Sequence, residues 1–219
     1  MENKQPEYMD LVDHYDSCFQ RHGATPQGVD WPNGLDLTTR FKVMLNGMPA
    51  ELRKAEEIKL LDVGCGYGAL FDYLKTTDNF KNINYHGTDL SEKMIQYAQE
   101  QHGNYFSFRD ILQQPLRANS FDYAIINGVF TEKRQLSQES MEEFLGHMLK
   151  NLYATCRYGF GFNVMSQHVD WYREELFYLP FDRAATIVRE NCNRHFRFCA
   201  DYGLYEYTVY VYKTPFIYD

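Results

Sequence analysis

Three glycines at two-residue spacing, Gly64, Gly66 and Gly68, follow an apolar run and an acid in the stretch LLDVGCGYGAL. Glycine lets the backbone turn sharply and approach a ligand closely, and the helix predicted after the loop offers free N–H groups at its first turn. The loop therefore predicts a ligand cradle. The same residues also fit the dinucleotide fingerprint G-x-G-x-x-G/A, and a tight strand-to-helix turn without a ligand is the simpler alternative.

Two acids accompany this loop. Asp89 ends the apolar run INYHGTD, and a carboxylate there can accept hydrogen bonds from the ribose hydroxyls of an adenosine-bearing cofactor. The alternative for Asp89 is a cap on the helix that starts at Ser91. Asp62 precedes the glycines and can meet a cationic amine of the same ligand.

The elements that must position these residues alternate between short apolar runs and helical segments, which predicts a parallel sheet with helices on both faces. The predicted strands are IKLLDVG, INYHGTD, FSFRDI, FDYAIIN and YGFGFNV, and the predicted helices are Ala69 to Lys75, Glu92 to His102 and Gln138 to Cys156. The runs HFRFCADY and YEYTVYVYK leave no room for a crossover helix, so they predict an antiparallel hairpin at the sheet edge.

The N-terminal part has a different pattern. Apolar residues at helical spacing predict a helix from Tyr8 to Arg21 and a second amphipathic segment from Leu37 to Gly47. We therefore predict an N-terminal helical appendage over residues 1–50 and a ligand-binding sheet domain over residues 51–219.

Composition narrows the possible partners. The 219 residues are 44% hydrophobic and carry a net charge of -8 without a Lys/Arg cluster, which argues against a nucleic-acid partner. The five cysteines are an odd number without C-x-x-C spacing, so we predict reduced thiols in a cytoplasm and no metal site. Neither a signal peptide nor a membrane-spanning run is evident.

From Ile58 onward the chain resembles the class I S-adenosylmethionine-dependent methyltransferases. The motifs that carry the resemblance are D-x-G-x-G-x-G at Asp62 to Gly68, GTDLSEKMIQYA, FRDI, FDYAIINGVF and the terminal hairpin. The resemblance implies a Rossmann-like, seven-stranded, mostly parallel sheet of order 3-2-1-4-5-7-6 with helices on both faces and an N-terminal helical lid. It also implies S-adenosylmethionine as the cofactor.

By the same resemblance, Asp62 and the glycine loop hold the methionine part, Asp89 the ribose, and Asp110 with Ile111 the adenine, while Asn127 and Gly128 lie near the methyl group. The full set of predicted cofactor residues is Asp62, Gly64, Cys65, Gly66, Gly68, Asp89, Leu90, Asp110, Ile111, Asn127, Gly128 and Arg40. Arg40 is included because its paired donors suit a cofactor carboxylate, although a surface ion pair is the alternative.

Methyl transfer is an in-line displacement, so the protein mainly aligns donor and acceptor and excludes water. A base is required only where the acceptor must lose a proton, as a hydroxyl usually does. The catalytic candidates are His168, Glu132 and Tyr15. Their structural alternatives are a loop histidine, a solvated surface acid and a core tyrosine.

The substrate is expected beyond the carboxyl ends of the strands. The turn GVDWPNG places Trp31 where it can close over that region, although a tryptophan can equally anchor the appendage to the sheet domain. The other substrate candidates are Thr131, Lys133 and Trp171. For Thr131 and Lys133, the alternative is a solvated loop.

These observations favour an S-adenosylmethionine-dependent methyltransferase that acts on an oxygen or nitrogen atom of a small molecule. The alternatives are a nicotinamide-dependent oxidoreductase and a non-catalytic S-adenosylmethionine-binding protein. The oxidoreductase lacks support from the tail hairpin, and the chain contains no Tyr-x-x-x-Lys arrangement. The sequence makes no prediction of oligomeric state.

Overall fold

The computed structural model describes residues 5–217, apart from the side chain of Asn79. The ends of both predicted units, residues 1–4 and 218–219, lie outside the described residues. The fold is a seven-stranded sheet of order β3-β2-β1-β4-β5-β7-β6, which confirms the predicted order. All neighbouring strands are parallel except β7, which runs antiparallel to β5 on one side and to β6 on the other.

The strands are rich in apolar and aromatic residues, as buried strands with helices on both faces require. Their bounds are Ile58–Val63 (β1), Ile83–Asp89 (β2), Phe106–Phe108 (β3), Phe121–Phe130 (β4), Cys156–Met165 (β5), Phe196–Cys199 (β6) and Glu206–Tyr212 (β7). β4 extends three residues beyond its predicted end. Its register against β5 shifts between Ile126 and Phe130, a stretch that contains Gly128 at a φ of 86°.

Seven helices are present among the described residues. Their bounds are Met9–His22 (α1), Gly34–Asn46 (α2), Ala50–Arg53 (α3), Ala69–Lys75 (α4), Glu92–His102 (α5), Gln138–Thr155 (α6) and Phe181–Asn191 (α7). The predictions for α4 and α5 are confirmed at both ends, and those for α1 and α6 within one residue. The second amphipathic segment begins three residues earlier than predicted, because Asn33 caps α2 by accepting a hydrogen bond from the Asp36 N–H.

Two hydrophobic clusters lie on opposite faces of the sheet. α6 and α7 pack on one face, and α2 to α5 pack on the other. Within α2, Met44 and Leu45 are fully buried in the second cluster. α1 buries only Leu11 and Cys18 and passes over the carboxyl ends of the central strands. Among residues 5–217, no helix combines the length and apolar character needed to cross a membrane.

Candidate functional site

A cavity lies at the carboxyl ends of β1 to β4, with α1, the turn before α2 and part of α2 as its roof. We call it the glycine-loop cavity. Ten of the twelve predicted cofactor residues line it: Asp62, Gly64, Cys65, Gly66, Asp89, Leu90, Asp110, Ile111, Asn127 and Gly128. The roof residues are Tyr8, Leu11, Val12, Tyr15, Val29, Trp31, Leu37 and Phe41. Gly68 and Arg40 lie outside this lining.

The glycine loop needs its glycines for two separate reasons. Gly64, Gly66 and Gly68 have φ angles of 73°, 54° and 94°, which side chains with a Cβ rarely adopt. A Cβ on Gly66 would lie 3.1 Å from Val29 of the roof, whereas one on Gly68 would lie 2.9 Å from the ring of Phe106. Gly66 thus keeps the cavity open, and Gly68 serves the packing of β3.

Asp89 ties the loop to the next strand. Its Oδ2 accepts a hydrogen bond from the Gly66 N–H at 2.8 Å, and its Oδ1 accepts one from the Ser91 N–H at 2.8 Å. Burial raises the pKa of Asp89, and these N–H donors act in the opposite direction. The helix cap itself is Ser91, whose hydroxyl accepts the Met94 N–H. Asp89 therefore keeps further lone pairs for a ligand in the cavity.

Asp62 is buried in the wall of the same cavity. Tyr85, a residue that the sequence did not indicate for the site, donates its hydroxyl hydrogen to Asp62 Oδ2 at 2.7 Å. Burial raises the pKa of Asp62 to about 7, the Tyr85 hydrogen bond lowers it, and the charge of Asp89 raises it. A cationic group placed beside Asp62 would therefore favour its charged form.

At the end of β3, Asp110 accepts a hydrogen bond from the Tyr8 hydroxyl at 2.7 Å and from the Leu112 N–H at 2.9 Å. Tyr8 belongs to the segment leading into α1, and its ring stacks on Phe144 with centroids 4.8 Å apart. The sequence placed Tyr8 only in an apolar stripe, because no local pattern links it to a residue about a hundred positions away. The roof therefore contacts the acid predicted to hold adenine.

The end of β4 brings five predicted residues together. The Gly128 carbonyl accepts hydrogen bonds from the Tyr15 hydroxyl at 3.0 Å and the Thr131 hydroxyl at 2.9 Å. A Cβ on Gly128 would lie 2.6 Å from the Trp31 ring, so Trp31 packs directly on this glycine. Beside it, Asn127 Oδ1 is buried without a hydrogen-bond partner among the described residues.

Arg40 forms a buried ion pair with Glu206 of the same chain. It is 6% exposed, and its Nε lies 3.0 Å from both carboxylate oxygens of Glu206, which is 2% exposed. A further contact joins Arg40 Nη2 to Glu206 Oε2 at 2.9 Å, and the guanidinium group lies 3.7 Å from the centroid of the Trp31 ring. The pair connects α2 to β7 and faces a second cavity.

This second cavity, the lid cavity, lies between the turn before α2, the segment after β4 and the segment after β5. It shares Tyr15, Val29 and Trp31 with the glycine-loop cavity. Of the remaining predicted residues, it brings together Thr131, Glu132, Trp171 and Arg40. Trp171 is 39% exposed, and its ring meets the edge of Tyr205 at a centroid distance of 5.3 Å. His168 and Lys133 line neither cavity.

The three catalytic candidates, Glu132, Tyr15 and His168, lie in different surroundings. Glu132 is 5% exposed in the wall of the lid cavity, and burial raises its pKa. Its Oε2 lies 3.3 Å from Arg134 Nε without hydrogen-bond geometry. Burial raises the pKa of Tyr15 far above neutrality, so its hydroxyl acts as a donor. His168 stacks on Phe181 with centroids 5.9 Å apart.

Next to the lid cavity, His14, Cys18 and Asp30 bring possible metal-ligating atoms within 4.8 Å of one another. The His14 ring donates a hydrogen bond from Nε2 to Asp30 Oδ2 at 2.7 Å, and the Arg134 guanidinium group contacts the same ring. Burial raises the pKa of the Cys18 thiol, which disfavours the thiolate that a metal would need. We assign no metal to this cluster.

Comparison with known proteins agrees with this architecture. Residues 61–157 match the family model described as a methyltransferase domain. The Mycobacterium tuberculosis protein named "Putative methyltransferase Rv1506c" is 29% identical over 164 residues, which cover 73% of this chain and 95% of that protein.

Two crystal structures are similar in fold over 98% of the chain, each with a TM-score of 0.62. Magnesium protoporphyrin IX methyltransferase from Synechocystis PCC 6803, with bound S-adenosylmethionine, is 15% identical and covered in full. The Burkholderia thailandensis 1,6-didemethyltoxoflavin N1-methyltransferase, with its substrate and S-adenosylhomocysteine, is 17% identical and covered over 92%.

Proposed function

We propose that this chain is a class I S-adenosylmethionine-dependent methyltransferase that methylates an oxygen or nitrogen atom of a small molecule, because residues 61–157 match a methyltransferase-domain model and a relative is named as a putative methyltransferase. The observation that carries the proposal is the wall shared by the two cavities. Tyr15 and Trp31 line both of them at the end of β4, where Trp31 packs on Gly128. A donor in the glycine-loop cavity and an acceptor in the lid cavity would meet at that wall.

The residues of the glycine-loop cavity fit S-adenosylmethionine. The buried Asn127 Oδ1 lacks a partner within the described chain, and such an atom is costly unless a ligand donates to it. We assign the ribose hydroxyls to Asp89, the adenine to Asp110 and Ile111, and the amino group to Asp62. Arg40 is left out of this assignment because it lies outside the lining of the glycine-loop cavity, and its Nε and Nη2 contact Glu206.

Several observations support a small acceptor. The two similar crystal structures are of enzymes whose names specify a magnesium porphyrin and a toxoflavin precursor as substrates. The net charge of -8 disfavours nucleic acid, and all five cysteines are free thiols, which suits a cytoplasmic protein. The lid cavity is lined by aromatic rings and by charged groups of both signs, which suits a polar molecule with an apolar face.

Bound S-adenosylmethionine supplies an electrophilic methyl group on a sulfonium. The residues of this chain have to align the acceptor, keep water away and, for a hydroxyl acceptor, remove a proton. Among the candidates, Glu132 is the acid in the wall of the lid cavity, and burial raises its pKa, which makes its carboxylate a stronger base. Tyr15 and the Thr131 hydroxyl hold the Gly128 carbonyl at the shared wall.

Two measurements test the proposal. Calorimetric titration with S-adenosylmethionine and with NAD should give binding of the first only. Release of S-adenosylhomocysteine should then be measured with separate pools of hydroxyl and amine compounds. For a hydroxyl acceptor, Glu132→Gln should lower kcat on the order of 100-fold and leave cofactor affinity unchanged.

The matched control is Glu143→Gln, which alters an exposed acid on α6. It should leave kcat at the wild-type value. Binding of NAD without binding of S-adenosylmethionine would refute the proposed function. Full activity of Glu132→Gln on a hydroxyl acceptor would remove Glu132 from the reaction but leave the function in place.

A further inference from the structure

Tyr85 lies beneath the glycine-loop cavity and does not line it. Its side chain is 4% exposed and packs between Phe71 and Phe106, at centroid distances of 5.1 Å and 5.5 Å. Its hydroxyl reaches Asp62 Oδ2 at 2.7 Å. A tyrosine so enclosed by rings needs a partner for its hydroxyl, and the partner here is an acid of the cofactor site.

The absence of a side chain at Gly87 makes this contact possible. Tyr85 and Gly87 are two residues apart on β2, so they lie on the same face of the sheet. Gly87 is the register partner of Asp62 on β1. A Cβ at position 87 would lie 2.9 Å from the Tyr85 hydroxyl oxygen and 2.8 Å from Cys65 Sγ. The Tyr85 hydroxyl therefore passes over Gly87 to reach Asp62.

The hydrogen bond has a fixed direction. Burial and the nearby Asp62 raise the pKa of Tyr85 well above its ordinary value, so the phenol keeps its proton and donates it. This bond is the sole hydrogen bond to the Asp62 side chain from the described residues, and it leaves Oδ1 for the cavity. An orienting donor on one oxygen thus prepares the other oxygen for a ligand.

We propose that Tyr85 is a positioning residue for the cofactor. It orients the Asp62 carboxylate toward the amino group of S-adenosylmethionine and favours the charged form that binds this group. The inference rests on the assignment of Asp62 to the amino group made above. The affinity for S-adenosylmethionine then depends on pH, and Tyr85 sets the pH range in which this affinity changes.

The sign of the pH dependence follows from the groups that face Asp62. Asp89 and burial raise its pKa, Tyr85 lowers it, and the net value is about 7. Cys65 stays a neutral thiol because burial raises its pKa well above the ordinary value. The carboxylate fraction falls from about one half at pH 7 to about one eleventh at pH 6, which predicts about fivefold weaker binding at pH 6.

The experiment is calorimetric titration of S-adenosylmethionine at pH 6.0 and 7.0, where the amino group of the ligand stays charged. Wild-type protein should show the fivefold difference. Tyr85→Phe removes one hydrogen bond to a charged group and should weaken binding at pH 7 about tenfold or more. Because the remaining effects raise the pKa of Asp62, the affinity of this variant should fall more steeply than that of wild type between pH 7.0 and 6.0.

The matched control is Tyr123→Phe. Tyr123 is a fully buried tyrosine on the neighbouring strand β4, and its hydroxyl has no hydrogen-bond partner in the described part of the chain. The Tyr123→Phe variant should bind S-adenosylmethionine with wild-type affinity at both pH values. Asp62→Asn, which cannot ionise, should bind weakly and with little change between the two pH values.

The outcomes separate the two proposals. If wild-type protein does not bind S-adenosylmethionine at all, the proposed function fails. If it binds equally well at both pH values, the proposed pH dependence is overturned. If Tyr85→Phe binds within twofold of wild type at both, the role of Tyr85 is overturned. The wild-type comparison tests the pH dependence even if Tyr85→Phe does not fold, and thermal melting establishes whether it does.

Discussion

Replacing Arg40 by methionine separates a structural role for this residue from the cofactor-binding role that the sequence predicted. Arg40 and Glu206 are 6% and 2% exposed and lie 166 residues apart in the chain. Methionine keeps most of the apolar length of the side chain and removes the charge. Within residues 5–217, the Glu206 side chain would then retain only the Asn163 amide at 3.0 Å and the Tyr202 hydroxyl at 3.3 Å as donors.

The expected loss of stability is large because a buried carboxylate would lose its cation. Removing one partner of a buried ion pair costs about 3–5 kcal/mol. In a domain of this size, each kcal/mol lowers Tm by about 2–4 °C, so Arg40→Met should melt about 6–20 °C below wild type. Because the guanidinium group also lies over Trp31, part of the loss is expected to come from the turn before α2.

The assay combines thermal melting with calorimetric titration of S-adenosylmethionine at a temperature where the variant is folded. Arg40→Met should bind the cofactor with nearly wild-type affinity. The double variant Arg40→Met with Glu206→Leu removes both charges and should recover much of the lost stability. If Arg40→Met melted at the wild-type temperature and lost cofactor binding, the reasoning would be refuted and Arg40 would belong to the cofactor site.

Two further predictions concern the cofactor and the roof. Asp89→Ala removes the acceptor assigned to the ribose hydroxyls and should weaken S-adenosylmethionine binding by about 1–3 kcal/mol with the fold retained; an unchanged Kd by calorimetry would exclude Asp89 from the site. Removal of residues 1–33 should leave a cooperative thermal transition and weaker cofactor binding, but abolish methyl transfer. Loss of the cooperative transition, or transfer at the full-length rate, would contradict a role of this segment as a lid.

The sheet could be predicted because each strand carries its own signal. Apolar runs, the glycine loop and the missing crossover before β7 indicate the strands and their directions locally, whereas the strand order was implied by the resemblance to the class I S-adenosylmethionine-dependent methyltransferases. The short helix α3 and the helix α7 were not predicted. α7 buries only Ala184, Ile187 and Val188.

The contacts that complete the site could not be predicted in the same way. Tyr85 is one of 18 tyrosines, and its role depends on Gly87 and Asp62 becoming neighbours across two strands. Arg40 meets Glu206 from the far end of the chain. Residue type and spacing therefore indicated the residues of the glycine loop, whereas the groups that orient or neutralise them depend on tertiary packing.

The two N-terminal helices are joined to the sheet by different forces, and this difference bears on how the site opens. α2 buries Met44 and Leu45 completely in the core, so its release would expose apolar surface to water. α1 buries only Leu11 and Cys18, and polar contacts join it and the residue before it to the ends of three strands: Tyr8 with Asp110, Asp16 with Ser91, and Tyr15 with Gly128. Water can replace such contacts when they separate, so their net cost is small. Opening of the glycine-loop cavity is therefore expected through movement of α1 and the Trp31 turn, with α2 remaining part of the core.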